Sequence, residues 1–337
     1  MTRLGVLGTG SWGTALAVHW AEAGHDVTLW GRSAELVRSL EDARVNARYL
    51  PDVAIPPGLR LTSELADLAE IDTVIVVVPS HGFREVVRSY LQGVPRSRAK
   101  VLVSATKGIE NDTLARMSEV TFEEAVAADR EARFAVLSGP SFALELAAGT
   151  PTLAVVAADD GDLAAELRET LSTRSFRLYS STDVVGVELG GTSKNVVAIA
   201  AGIVTGLGLG SNTLAAVLTR GLHEITRLGL ACGGQTRTLA GLAGMGDLVL
   251  TCTGALSRNR HVGMELAAGK TLEEISAATP MIAEGVRSSL AVARIAERRG
   301  VEMPITEEVV RILYHGKSPR QTVHDLMTRD LRSEAEL

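Results

Sequence analysis

The chain has 337 residues, of which 46% are hydrophobic, and its formal net charge at pH 7 is −6. That length and composition can supply a large core and favour two domains. The modest negative charge is spread along the chain, which argues against a nucleic-acid partner or a charged membrane surface.

The same inventory argues against several other protein classes. No apolar run is long enough to span a bilayer, and the N-terminus enters a predicted strand at once, so neither a membrane span nor a signal peptide is expected. Cys232 and Cys252 are too few for a disulfide framework and lack metal-ligand spacing, and the seven histidines form no H-x-x-x-H pair. We therefore expect a soluble, cytoplasmic protein without a metal.

The N-terminal stretch from Arg3 to Ala23 predicts a strand, a glycine-rich turn and an Ala-rich helix. Gly8, Gly10 and Gly13 fit the pattern G-x-G-x-x-G. The first glycine permits the tight turn, the second lets the backbone approach a pyrophosphate, and the third lets helix and strand pack closely. A purely structural turn is the alternative, but the strand before and the helix after favour a dinucleotide at the helix N-terminus.

The second predicted strand, Asp26–Trp30, bears on the choice of cofactor. In NAD-specific domains the end of this strand carries an acid for the ribose 2′-hydroxyl, whereas here Gly31 and Arg32 follow. Because an arginine suits a 2′-phosphate, NADP(H) is favoured and NAD(H) remains possible. A solvated arginine that stacks on adenine is the alternative, and it fits either cofactor.

The rest of the first half alternates between strands and helical segments. Ser33–Arg44 is predicted as a helix, and Asn46–Pro57, which contains three prolines, as a loop. This alternation predicts a doubly wound, mostly parallel sheet with ligands at the carboxyl ends of its strands. The further predicted strands are Thr73–Val78, Val101–Ser104, Phe134–Leu137, Thr152–Ala157 and Phe176–Tyr179.

No strand pattern follows Asp183, and the second half is predicted to be all-helical. We therefore expect an α/β Rossmann domain over residues 1–182 and an all-α domain over residues 183–337. The predicted helices are Val184–Leu207, which is poor in charge and central, and then Asn212–Leu228, Val286–Arg299, Ile305–Leu313 and Val323–Leu331.

Lys194 and Asn195 form a polar pair within the apolar helix Val184–Leu207. A buried lysine is costly, and burial makes its ammonium usable for proton transfer. A lysine whose ammonium reaches solvent is the alternative. The two glycines before the pair and the asparagine after Lys194 favour a functional role.

Three other polar stretches interrupt the helical half. Asp247 lies between a glycine-rich turn and an apolar run, and it suits either a functional carboxylate or a helix N-cap. Ser257-Arg258-Asn259-Arg260 is a dense set of hydrogen-bond donors suited to a phosphate, although an exposed basic turn would look the same. Ala283-Glu284-Gly285 precedes a predicted helix and is a weak signal alone.

Several long motifs together carry a family resemblance. In chain order they are GTGSWGTALA, NARYLPD, SATKGIE, SGPSFALE, GGTSKNVVAIAAGI, LTRGLHE, GLAGMGDLVLTCTGALSRNR and AEGV. This set resembles the bacterial-type NAD(P)-dependent glycerol-3-phosphate dehydrogenases over roughly Thr2 to Tyr314. The resemblance implies a Rossmann domain followed by a helical domain, with the site between them.

The resemblance also implies an activity and its catalytic residues. The reaction is the reversible reduction of dihydroxyacetone phosphate by NAD(P)H to sn-glycerol 3-phosphate, a phosphorylated precursor for phospholipid synthesis. By position in the matching motifs, Lys194 is the general acid/base, Lys107 stabilises negative charge on the substrate oxygen, and Asp247 orients Lys194 with help from Asn195 and Thr251.

The remaining site residues are likewise implied by the resemblance. Substrate binding is expected of Lys107, Gly139, Ser141, Lys194, Asn195, Asp247, Thr251, Ser257, Arg258 and Asn259. Cofactor binding is expected of Gly8, Gly10, Ser11, Trp12, Gly13, Arg32, Tyr49, Lys107, Ala143, Arg258, Ile282 and Glu284. A homodimer is the implied assembly, although no isolated interface signal is visible in the sequence.

Two alternatives differ in class. One is another two-domain NAD(P)-dependent dehydrogenase, of the β-hydroxy acid or ketopantoate type, and the SRNR cluster and the GLAGMGD turn argue against it. The other is a non-catalytic dinucleotide sensor. Such a protein would need none of Lys107, Lys194 and Asp247, so their presence argues against it.

Overall fold

The computed structural model describes residues 2–95, 97–278, 283–331 and 333. It divides into two compact units. The first contains Met1–Lys107 and Ala115–Val184, and the second contains Gly108–Leu114 and Val185–Leu337. The grouping of Gly108–Leu114 with the second unit is a feature that the sequence does not predict.

The first unit is built on an eight-stranded sheet with the order β10-β9-β8-β7-β6-β1-β2-β5. All neighbouring strands are parallel except β8 and β9. The strand order reverses between β1 and β6, which is where open α/β sheets bind their ligands. The strands are β1 Arg3–Leu7, β2 Asp26–Trp30, β3 Val45–Asn46, β4 Leu50–Ala54, β5 Arg60–Thr62, β6 Thr73–Val76, β7 Val101–Ser104, β8 Arg133–Ser138, β9 Thr152–Ala157 and β10 Phe176–Ser181.

Helices connect these strands, as the alternating pattern predicts. They are α1 Ser11–Glu22, α2 Ala34–Ala43, α3 Ser80–Gly93, α4 Met117–Ala127, α5 Ala143–Ala147 and α6 Gly161–Leu171, with a short 3₁₀ turn at Leu65–Leu68. β6 and β7 are buried along their whole length, which explains their continuous apolar sequences. The Rossmann architecture predicted for this half is confirmed.

The expectation of a loop at Asn46–Pro57 is wrong. The antiparallel strands β3 and β4 form a hairpin there. Only Leu50 is buried within β4, so the segment has no apolar alternation to mark it as a strand. Pro51 is tolerated because β4 pairs on one side only, and Pro56 and Pro57 follow the strand.

From Val185 onward, the regular secondary structure of the described residues is entirely helical, which confirms the all-α prediction. Four of the predicted helices in this half begin earlier than expected, at Gly210, Glu284, Pro304 and Pro319. For the helices that begin at Glu284 and Pro319, an acid in the first turn and a proline at the first position suit a helix start. The helices are α7 Val184–Gly206, α8 Gly210–Ala231, α9 Thr236–Leu239, α10 Asp247–Thr253, α11 Arg258–Ala267, α12 Leu272–Ala277, α13 Glu284–Arg299, α14 Pro304–His315 and α15 Pro319–Met327, with a π-helical turn at Leu242–Gly246.

α7 is the central helix of the second unit, and it packs on both of that unit's apolar clusters. Leu189, Val196 and Ile199 belong to one cluster, whereas Val197 and Ala198 belong to the other. Among the described residues, no single helix is both long and apolar enough to cross a bilayer, and only the segments Thr236–Thr253 and Arg258–Ala267, which meet at a 46° bend, pass that test jointly.

Candidate functional site

The glycine-rich turn between β1 and α1 contains two glycines that the fold itself requires. Gly8 has φ +128°, and a Cβ there would lie 2.3 Å from the Val77 carbonyl oxygen. A Cβ on Gly13 would lie 2.0 Å from the Gly8 carbonyl oxygen. A Cβ on Gly10, in contrast, would meet no protein atom within 4 Å. The second glycine therefore leaves open space, which is the space that a pyrophosphate would need.

The N-terminus of α1 can receive an anion. Gly10 is the N-cap and provides no side-chain cap, and the first turn contains no acid. The first intrahelical bond runs from Thr14 N to Gly10 O, so the N–H groups of Ser11, Trp12 and Gly13 have no acceptor within the helix. The Trp12 indole N–H is also buried without a partner among the described residues. These donors fit a dinucleotide phosphate.

Arg32 follows β2, where the sequence places the cofactor-selective residue. Its guanidinium is largely exposed and lies 3.6 Å from the carboxylate of Glu85, which is also exposed. An exposed pair of this kind holds its partners weakly, so the arginine can turn to another anion. Ser33, the next residue, caps α2 by accepting a hydrogen bond from Leu36 N.

Asn46 is a residue of this region that sequence reasoning missed. It is fully buried, and its amide nitrogen donates to Thr9 O at 2.9 Å and to Thr14 Oγ1 at 2.8 Å. Its amide oxygen accepts from Tyr49 N at 3.2 Å, and the same N–H also bonds to the Asn46 carbonyl oxygen at 3.2 Å. Tyr49 itself is half-buried beside the Arg48 guanidinium. No spacing rule identifies Asn46, because its partners come from the turn and from α1.

Lys107, Gly139 and Ser141 come together at the carboxyl ends of β7 and β8. Lys107 Nζ and Ser141 Oγ each donate to the Gly139 carbonyl oxygen at 3.0 Å. Gly139 has φ +148°, and a Cβ there would lie 2.8 Å from Ala154 Cα, so this position requires glycine. Ala143, another expected cofactor contact, begins α5 and is half-buried.

In the second unit, Lys194 is buried and bonded to two other predicted site residues. Its Nζ donates to Asp247 Oδ1 at 2.5 Å and to Thr251 Oγ1 at 2.7 Å. The Lys194 and Asp247 side chains are 7% and 1% exposed, so the pair is shielded from water. The alternative in which the ammonium of Lys194 reaches solvent is therefore wrong. The Thr251 hydroxyl in turn donates to Asp247 O at 2.6 Å.

Close backbone packing brings Asp247 to Lys194. A Cβ on Gly190 of α7 would lie 2.9 Å from Ala243 O in the π-helical turn, and a Cβ on Gly244 would lie 1.9 Å from Leu239 O. The turn leads directly into α10, of which Asp247 is the first residue. The N-cap of α10 is Gly246, without a side-chain cap, so the N-cap interpretation of Asp247 is wrong.

Asn195 and Asn259 link three helices through their side chains. Asn259 Nδ2 donates to Asn195 Oδ1 at 2.9 Å, and Asn259 Oδ1 accepts from Gly285 N at 2.9 Å. Glycines also permit the crossing of α7 and α11, since a Cβ on Gly202 would lie 2.0 Å from Arg260 O. Both asparagine side chains are thus fixed within the protein.

Arg258 is the first residue of α11, and Ser257 is its N-cap, accepting from Arg260 N at 3.2 Å. Burial lowers the pKa of the Arg258 guanidinium from its ordinary value, and the carboxylate of Glu284 opposes that shift. The guanidinium remains charged, because an arginine in a protein does not lose its proton. The charges of Arg258 and Glu284 therefore interact with each other.

The structure also bears on a further cofactor candidate, on metal binding and on the reactivity of Cys252. Ile282 lies outside the described residues. No group of three or more His, Cys, Asp or Glu side chains suited to a metal occurs among the residues that are described. Burial raises the pKa of the Cys252 thiol to about 12, so this cysteine is not a nucleophile at neutral pH.

The predicted site residues thus fall into two sets. In the first unit, the glycine-rich turn forms one group, and Lys107, Gly139 and Ser141 form another. In the second unit, Lys194 is joined to Asp247 and Thr251, while Asn195 is joined to Asn259.

Comparisons with known proteins agree along the whole chain. Models for the N-terminus and the C-terminus of NAD-dependent glycerol-3-phosphate dehydrogenase match residues 3–164 and 183–324. The glycerol-3-phosphate dehydrogenase (NAD(P)+) of Geobacter sulfurreducens is 52% identical over 335 residues, with 98% of each chain covered. That of Geobacter sp. (strain M21) is 50% identical over 333 residues, again with 98% of each chain covered.

Comparison with solved structures distinguishes members of the same family from proteins that share only the fold. The crystal structure of glycerol-3-phosphate dehydrogenase from Coxiella burnetii has a TM-score of 0.91 and 39% identity, and covers 97% of this chain and 99% of that one. A ketopantoate reductase from Ralstonia eutropha has a TM-score of 0.58 and 14% identity over 96% of this chain and 100% of that one, which indicates a common fold only. The chain belongs to the NAD-dependent glycerol-3-phosphate dehydrogenase family.

Proposed function

We propose that this chain catalyses the reversible NAD(P)H-dependent reduction of dihydroxyacetone phosphate to sn-glycerol 3-phosphate. The observation that carries the proposal is the buried Lys194 ammonium, held by Asp247 at 2.5 Å and Thr251 at 2.7 Å. A protein that only binds a dinucleotide would have no use for this costly arrangement. The product is a precursor for phospholipid synthesis.

We assign residues 1–182 as the NAD(P)-binding domain, which also contributes Lys107, Gly139 and Ser141 to substrate binding, and residues 183–337 as the helical substrate and catalytic domain. Gly10 leaves room for the pyrophosphate, and the N–H groups at the start of α1 donate to it. When bound, NAD(P)H supplies the hydride. Arg32 makes NADP(H) the preferred form, because its guanidinium can pair with a 2′-phosphate and its ion pair with Glu85 is a weak surface contact. Tyr49, Ala143, Ile282 and Glu284 are the further cofactor contacts.

Lys194 is the proton-transfer residue of the proposed reaction. As a ketone is reduced, negative charge builds on its oxygen, and a positioned ammonium both stabilises that charge and donates the proton. Asp247 and Thr251 orient the ammonium, and Asp247 favours its charged state. In the oxidation direction, Lys194 accepts the hydroxyl proton.

Lys107 and Arg258 provide the remaining positive charge. Lys107 stabilises the substrate oxygen, and Gly139 and Ser141, which lie beside it, contact the substrate. Arg258 binds the substrate phosphate and lies near the cofactor, with Ser257 and Asn259 as neutral neighbours. Asn195 is the last of the proposed substrate-binding residues, and its side chain accepts a hydrogen bond from Asn259. We also propose a homodimer, following the family resemblance.

The test is the consumption of NADPH and NADH, followed by absorbance, with dihydroxyacetone phosphate, ketopantoate and a β-keto acid as separate substrates. We expect turnover with dihydroxyacetone phosphate and little with the other two. Turnover with ketopantoate or the β-keto acid alone would favour another dehydrogenase of the same build. Cofactor binding without turnover of any substrate would favour a sensor.

A further inference from the structure

We propose that Asn46 is a positioning residue for the dinucleotide, and this inference rests on the proposed function. Its side chain connects three parts of the first unit: the glycine-rich turn through Thr9 O, helix α1 through Thr14 Oγ1, and the β3–β4 hairpin through Tyr49 N. Each of these contacts is made to the protein itself. Asn46 therefore acts through the turn and Tyr49.

The hydrogen bonds fix the orientation of the Asn46 amide. The Thr9 carbonyl can only accept, so the amide nitrogen must face it, and the Tyr49 N–H can only donate, so the amide oxygen must face that group. Asn46 is fully buried, and water does not compete for these bonds. Asparagine supplies both donors and an acceptor at this position.

Thr9 is held by packing as well, which makes the turn sensitive to Asn46. A Cβ on Gly31 would lie 2.7 Å from Thr9 Cγ2, so Thr9 packs tightly on the residue just before Arg32. Gly8, on the other side, donates its N–H to Trp30 O at 2.9 Å. A shift of Thr9 would therefore move the backbone next to Gly10, where the pyrophosphate is proposed to bind.

An aspartate at position 46 is the sharpest perturbation, because it has nearly the same shape as asparagine. Its second carboxylate oxygen would face the Thr9 carbonyl oxygen across what is now a 2.9 Å hydrogen bond. Thr14 can rotate its hydroxyl to donate, but the Thr9 carbonyl has no donor to offer. The two oxygens repel each other, which displaces the glycine-rich turn at Thr9. The new negative charge also disfavours binding of the pyrophosphate nearby.

The experiment is calorimetric titration of the full-length protein with NADP⁺ and with NAD⁺, together with steady-state kinetics. For Asn46→Asp we expect both dissociation constants to rise about tenfold or more, which is the scale of one unpaired buried polar group. The KM for the reduced cofactor should rise more than kcat falls. Asn212→Asp, the same chemical change at an exposed position in α8, is the matched control and should leave both unchanged.

A second variant tests the proposal if Asn46→Asp does not fold. Thr14→Val removes one acceptor of the Asn46 amide while keeping a branched side chain, and it should weaken binding of both nucleotides about threefold. Normal binding by a folded Asn46→Asp, or by Thr14→Val, would overturn the proposal, even if the melting temperature fell. A wild-type protein that binds neither nucleotide would instead refute the proposed function and, with it, this role.

Discussion

The ion pair between Lys194 and Asp247 offers the most informative single perturbation, Asp247→Asn. The substitution keeps the side-chain shape and one oxygen near Lys194 Nζ, now 2.5 Å from Oδ1, but removes the negative charge. The ammonium, whose side chain is 7% exposed, would then lie in the protein interior without that counter-charge. The neutral contact with Thr251 would be retained.

The magnitude follows from the burial of the pair. Removing one partner of a buried ion pair costs about 3–5 kcal/mol, because the other charge is left uncompensated. The asparagine can still accept a hydrogen bond, so we expect a loss of about 3 kcal/mol in the free energy of unfolding at pH 7. The ammonium also loses its proton more readily, so the pH dependence of kcat should move to lower pH.

The assay combines denaturant unfolding with a pH profile of kcat, and two variants serve as controls. Asp160→Asn breaks the exposed 2.7 Å pair with Arg133 and keeps the cap of α6, so stability should barely change. Thr251→Val removes the neutral acceptor of Lys194 and should cost about 1 kcal/mol. If Asp247→Asn were no more destabilising than Asp160→Asn and left the pH profile in place, the reasoning about this buried pair would be refuted.

Three further predictions concern other charged groups. Arg32→Asp should weaken binding of NADPH more than that of NADH, and equal changes measured by titration would remove Arg32 from cofactor selection. Arg258→Ala should cost about 2–5 kcal/mol of substrate binding, judged from kcat/KM, with a smaller effect on unphosphorylated dihydroxyacetone. Equal losses with both substrates would show that Arg258 does not bind the phosphate. Burial raises the pKa of Glu224 to about 7 from the ordinary 4.5, so its contribution to stability is complete below about pH 4.5 and is lost as the pH rises through 7. The contribution of Glu224 to the free energy of unfolding should thus fall by about 3 kcal/mol between pH 4.5 and pH 8. The difference in the free energy of unfolding between Glu224→Gln and the wild type should change by that amount over the same range; an unchanged slope in the variant would contradict the assignment.

Glu224 also shows why local patterns miss some structural roles. Its carboxylate accepts N–H bonds from Ile305 and Thr306 at the start of α14, although these residues are distant in sequence. Neither helical periodicity nor a capping motif connects them, because a capping motif reads only the residues next to the helix start. Asn46 escapes detection for the same reason, since it lies in a different element from Thr9 and Thr14.

The parts that the sequence predicts well have strong periodic or glycine signals. Strands Asp26–Trp30, Val101–Ser104 and Thr152–Ala157 have the predicted bounds, because their apolar runs end at turn residues or charges. The hairpin at Val45–Ala54 carries no such signal, because only Asn46 and Leu50 are buried in its two strands. The residues of the candidate site were identified from motifs, while the contact of Lys194 with Asp247 depends on the packing of α7 against the π-helical turn.

The central claim is that Lys194 transfers the proton during reduction of dihydroxyacetone phosphate. The most direct measurement is kcat of Lys194→Ala at saturating cofactor and substrate, with cofactor affinity and folding verified on the same preparation. The account predicts a fall in kcat of at least ~10²-fold, nearly unchanged binding of NADPH, and loss of the limb of the pH profile that reports this group. A folded variant with near-normal kcat at pH 7 would contradict the claim and move the role to another residue, with Lys107 as the first candidate.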